Sequence, residues 1–229
     1  VEWGTIRVGA ALSLTGNWQN NGNFLAGSGS VEFTGNGTAS VAVPVPDITG
    51  YTRSMFAGGM TALTGGIVGP TGDDGAAVVP INFTFVYLGV GYTNLKFCTN
   101  GWVSLNQSGT VNLHLNTSLF TASTPNTTLA PWWDDLKDDN PSKLYYLTQG
   151  TAPNRVFTAE WNQVLSYSNG SSTRMSFQVK LYETTNVIEF HYGTVTPGNQ
   201  SANESASIGM EDAAGGSGRP AGDPRSDVP

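Results

Sequence analysis

The sequence predicts an all-β protein: an antiparallel β-sandwich of jelly-roll-like form, preceded by an N-terminal β arm. Three observations predict it. Thr, Val, Tyr and Phe, which suit a pleated half-buried surface, are frequent, and no window carries a helical period. Several stretches alternate apolar and polar residues with period two, bounded by Gly, Asn and Pro. With 229 residues, 38% hydrophobic and 10% aromatic, the chain can bury a sizeable core although only 12% of it is charged.

The first element is the arm, residues 1–45. Its stretch "LTGNWQNNGNFLAGSGSVEFTGNG" reads as short strands separated by Asn-Gly and Gly-Ser turns, with Leu14, Trp18, Phe24, Val31 and Phe33 as the apolar residues available for assembly. The prolines of "VAVPVPD" stop regular pairing at its end. Residues 46–213 are the predicted sandwich, opening with a Gly-rich segment to about residue 80 that holds short strand candidates around Met55 and Ala62. In "INFTFVYLG", Ile81, Phe83, Phe85 and Tyr87 face inward. In "KLYYLTQGTAPNRVFTAEWNQV", Phe157, Ala159 and Trp161 share one face while Thr158, Glu160 and Asn162 share the other. The clearest hairpin is "STRMSFQVKLYETTNVIEFHYG": Met175, Phe177, Val179 and Leu181 on one strand, a turn at Thr184–Asn186, then Ile188, Phe190 and Tyr192. Residues 214–229 form a polar Gly/Pro-rich tail.

The segments "DDGAAVVPINFTFVYLGVGYTNLKFCTNGWVSLN", "LAPWWDDL", "YYLTQGTAPNRVFTAEWNQV", "SFQVKLYETTNVIEFHYG" and "ASIGMED", in that order, resemble a β-sandwich module of large secreted and cell-surface bacterial proteins, distantly similar to nidogen-type domains. The resemblance spans roughly residues 50–213 and implies an extracellular, non-catalytic module of adhesive or architectural proteins. The arm separately resembles bacterial surface repeats of β-solenoid type. Val1 is not preceded by a leader or an initiator Met, which fits a processed chain or a fragment.

Composition excludes some classes of partner. Ten basic residues stand against 17 acidic ones, for a net charge of −7, and no Lys/Arg cluster offers phosphates a footing, so nucleic acid is not expected. No apolar run reaches membrane-spanning length. Cys98 is the only cysteine, so no intramolecular disulfide can form, and its apolar neighbours in "LKFCTNGW" predict a buried, inert thiol.

Candidate chemistry is sparse. His114 and His191 lack the neighbouring nucleophile or ligand pattern of a triad or metal site and read as outward strand residues. "PWWDDLKDDN" brings Asp134, Asp135, Asp138 and Asp139 close together, and oxygen ligands of this kind suit calcium, the one cofactor expectation. The plainer reading is that a tryptophan plugs the core there while the aspartates form turns. Asp73, Asp74, Glu211 and Asp212 are weaker candidates of the same type. Glu160, Glu183 and Glu189 show no glycosidase pattern. Trp102, Trp132, Trp133 and Trp161 would supply stacking faces if the chain bound glycan, although tryptophans in sandwiches usually sit in the core. Eight N-x-S/T triplets mark polar loops in a chain rich in Asn, Ser and Thr.

The expectation is therefore a non-enzymatic extracellular or cell-surface structural protein that self-assembles through its arm into a filament or layer. A solenoid needs about three or more rungs to bury a core, and an arm with at most two must find a partner surface. The alternative is a carbohydrate-binding adhesin.

Overall fold

The computed structural model describes strands at 12–14 and 31–33, then residues 51–56, 58–106, 114, 116, 125–139, 142–167, 172–198, 206–213 and 218–220. It falls into two units, Val1–Val45 and Pro46–Pro229. In the first unit β1 (Leu12–Leu14) pairs in parallel with β2 (Val31–Phe33), Leu12 opposite Val31 and Leu14 opposite Phe33. Leu14, Val31 and Phe33 thus lie in these strands, whereas Trp18 and Phe24 lie outside the described residues.

The second unit is two six-stranded antiparallel sheets. The first has the order β14-β13-β7-β6-β5-β4, from β4 (Ala76–Tyr87), β5 (Val90–Cys98), β6 (Trp102–Ser104), β7 (Thr128–Trp133), β13 (Ser207–Glu211) and β14 (Gly218–Pro220). The second runs β12-β11-β10-β9-β3, from β3 (Ile67–Val68), β9 (Leu144–Gln149), β10 (Val156–Ser166), β11 (Arg174–Tyr182) and β12 (Ile188–Thr196), with the short β8 (Leu136–Lys137) also on β10. The two sheets pack face to face as the predicted sandwich. Successive strands stay in one sheet as meanders, β4 to β7 and β9 to β12, and the chain changes sheet only after β3, β7 and β12. No helix among the described residues is long and apolar enough to cross a membrane.

Period two builds the interior. Ile81, Phe83, Phe85 and Tyr87 of β4 point inward, as do Phe157, Ala159 and Trp161 of β10 and Met175, Phe177, Val179 and Leu181 of β11. Trp161 stacks on Phe177 with ring centroids 4.8 Å apart and meets Phe97 edge-on at 4.7 Å. Its indole N–H donates to the Cys98 carbonyl at 3.0 Å, so the polar end of a wholly buried ring is satisfied. A smaller cluster joins Cys98, Trp102, Ala130 and Trp133. Gly101 makes the tight turn into β6: its φ is +78°, and a Cβ there would lie 1.7 Å from the Trp132 carbonyl oxygen. No other residue fits.

The edge of the first sheet is blunted. β4 carries Pro80, and its register slips between Pro80 and Phe85 where Asn82 adopts φ 66°. Arg155 then donates to the Asn82 carbonyl at 2.6 Å. A proline and a bulge both discourage further strand addition.

The Gly-rich segment differs from expectation. Met55 and Ala62 are not in strands, and the described residues between 51 and 66 form no ladder before β3. Gly58, Gly59, Gly65 and Gly66 interrupt any regular run. The segment acts instead as a strap over the outer face of the second sheet. The Met60 N–H bonds to the Tyr192 carbonyl of β12, the Thr61 carbonyl accepts from Gln178 of β11, and the Leu63 N–H bonds to Glu160 of β10. Gly66 then passes over β9 so closely that a Cβ would meet that of Tyr145 at 2.9 Å.

Candidate functional site

Two places concentrate polar chemistry. The first is the outer face beneath the strap. Glu160 and Gln178 sit opposite each other on β10 and β11, and both are 0% exposed. Glu160 Oε2 accepts from the Leu63 N–H at 2.8 Å and from Gln178 Nε2, which also donates to the Thr61 carbonyl at 2.8 Å. Among the described residues, Glu160 Oε1 and Gln178 Oε1 are buried without a partner. Among the described residues no cation pairs with Glu160. Burying a carboxylate this way is costly, and its hydrogen bonds must offset part of that cost. A cleft of about 250 Å³ opens beside the pair, lined by Thr61, Ala62, Leu63, Thr64, Gln149, Thr158, Gln178 and Lys180.

His191 lies further along the same face. Its position on the outer alternation is as expected, but it is not a solvent-face residue. Its side chain is only 11% exposed, its Nε2 lies 2.8 Å from Glu189 Oε2, and the Phe56 ring meets it edge-on at 5.1 Å. The strap covers a face that alternation alone assigns to water. Burial opposes the Glu189 charge, but hydrogen bonds from Tyr182 and His191 outweigh it and hold the carboxyl below its usual range.

The second place is the aspartate-rich end, where the run at 134–139 diverges. Asp134 is buried and accepts from the Asp135 N–H at 2.9 Å. Asp138, also buried, accepts from the Lys143 N–H at 2.6 Å, and burial raises its pKa. Asp139 forms a forked pair with Arg174, whose hydrogen bonds hold its carboxyl below the usual range. Asp135 alone turns toward Asp73 and Asp74, and one carboxylate oxygen from each lies within 4.8 Å of the others. His114 Nδ1 lies 3.7 Å from Asp74 Oδ1. Burial raises the Asp135 pKa; His114 opposes the shift, and Asp73 and Asp74 add to it. A hard cation would therefore meet Asp73, Asp74 and Asp135 together, not the four aspartates of the run. The long-range bridge between Gly72 and Asp138 joins these two loops.

The remaining candidates are structural. Trp102, Trp133 and Trp161 are buried, and Trp132 lies against Phe177 and Tyr192, so none presents an open stacking face. Cys98 is a buried free thiol, and burial pushes its pKa up to about 12. Glu183 is gripped by Arg155, whose hydrogen bonds pull its carboxyl down to about 2. Burial, reinforced by Asp212, pushes Glu211 up to about 8, and its Oε2 has no partner. Sequence reasoning missed Gln178 and the strap contacts. The available signal was a Glu and a Gln at matched outer positions of two paired strands.

A family model described as NIDO related matches residues 50–222, more than half of the chain. The match takes in the strap, both sheets and β14. Among curated proteins and among solved structures, no match was found.

Proposed function

The chain belongs to the NIDO-related family, and on that premise we propose that it is a non-enzymatic extracellular structural protein that self-associates through residues 1–45 into a filament or surface layer. The observation carrying this reading is the parallel, in-register pair of β1 and β2. Parallel strands this far apart in sequence suit successive rungs of a stack. Among the described residues that sheet has only two strands. Two strands alone cannot bury a rung core on both sides, and among the described residues no further strand pairs with their outer edges. A second copy stacking on the arm would satisfy both needs, and a head-to-tail contact that does not close gives a fibre. The blunted β4 edge makes that side of the sandwich a poor competing point of contact. Family membership supports an extracellular or cell-surface setting.

Deleting residues 1–45 tests the proposal by sedimentation velocity. The full chain should sediment as large, concentration-dependent species and the shortened chain as a monomer. Equal assembly by both would overturn the arm's role. The alternative, a carbohydrate-binding adhesin, keeps one observation in its favour: the polar cleft beneath the strap.

A further inference from the structure

The cleft beside the strap combines three features that ordinary packing does not need together. Gln178 lines it, wholly buried, with an amide oxygen that no donor among the described residues reaches. Opposite it on β10, and outside the lining, Glu160 is also wholly buried and keeps one carboxylate oxygen without a partner among the described residues. Swapping the Gln178 amide atoms would not help, because Nε2 already donates to Glu160 and to the Thr61 carbonyl, both acceptors. The deficit is therefore one of donors, on two adjacent oxygens. Leaving such groups unmet costs more than the bonds themselves return.

The rim supplies the complementary groups. Thr61, Thr64 and Thr158 bring hydroxyls, Gln149 an amide and Lys180 an ammonium. At about 250 Å³ the cleft is smaller than the roughly 300–1,000 Å³ of drug-sized sites. We propose that this cleft is a binding site for one hydroxyl-rich residue of sugar size, with one hydroxyl donating to Gln178 Oε1 and further hydroxyls meeting the rim. The Gln178 amide oxygen accepts one hydroxyl, and each hydroxyl can also accept from Lys180 or a threonine. Recognition here needs no aromatic platform. The inference rests on the adhesin alternative and not on arm-mediated assembly, so either can fail alone.

Saturation-transfer difference NMR of the full chain with a neutral hexose, a hexosamine and a hexuronate tests it, since that signal is read on the sugar and tolerates a large assembly. At least one sugar should receive saturation, with Kd on the order of 1 mM. Hydrogen exchange of the peptide holding Leu63 should slow on its addition. The three sugars identify the substituent: preference for the carboxylate over the amine implicates Lys180, the charged residue of the lining. Thr158→Val, which leaves the strap bonds intact, and Gln178→Leu should each abolish transfer. No saturation of any of the three sugars would overturn the proposal, as would transfer undiminished in Thr158→Val.

Discussion

The paired strands β10 and β11 are buried on both faces at their centre, but by different means. On the inner face Phe157, Trp161, Phe177, Val179 and Leu181 are dry and interlock with the opposite sheet. On the outer face Thr158, Glu160 and Gln178 are just as deeply covered, yet what covers them is an irregular strap held by hydrogen bonds to side chains. The inner face gains its stability from apolar area, which is non-directional and cooperative across the sandwich. The outer face depends on a few directional bonds that can be broken one at a time. Global stability should therefore reside on one face and local opening on the other.

Four substitutions or conditions can break that contrast. The largest effect belongs inside: Trp161→Ala should cost about 3–5 kcal/mol, seen as a lower midpoint in denaturant unfolding followed by the remaining tryptophans. Next, Glu160→Leu should cost about 1–3 kcal/mol by stranding the Leu63 N–H and the Gln178 amide. Its signature is local, with faster hydrogen exchange at residues 60–64 and little change in β5 or β11. Uniform acceleration across both sheets would show the strap to be part of the core.

Smaller again is a pH effect from β13. Glu211 titrates near 4.5 when unfolded and at about 8 when folded. Over that window the folded state binds more protons, so stability falls as pH rises, by at most about 1.4 kcal/mol per pH unit. The stabilisation is complete below about pH 4.5 and lost above about pH 8. Glu211→Gln should flatten Tm against pH between those limits, and an unchanged slope would refute the assignment. The smallest effect is expected for Arg155→Ala. It removes a forked pair with Glu183 near the surface and the cap on Asn82, and should lower Tm slightly, less so in high salt.

The same contrast accounts for what the sequence made legible. Alternation located the inner residues of β4, β10 and β11, because a residue on a half-buried strand declares its face by period two, whereas on the edge strand β12 Ile188 and Phe190 are only half-buried and Tyr192 is exposed. It also placed Glu160 and His191 on the opposite face correctly. It could not show that this face is covered, since the cover is a Gly-rich segment with no period of its own. The aspartates teach a related lesson. Proximity in sequence grouped Asp134, Asp135, Asp138 and Asp139, whereas the fold separates them and sets Asp135 beside Asp73 and Asp74 from another loop. Such a juxtaposition depends on strand pairing, which no local pattern encodes. In the arm, the strands of Leu14 and of Val31 and Phe33 were legible, but not their parallel register.

The claim that the arm drives assembly is tested most directly by negative-stain electron microscopy of the full chain. Regular filaments or sheets, absent after removal of residues 1–45, are the predicted result. Fields of separate, unassociated particles across the accessible concentration range would contradict it.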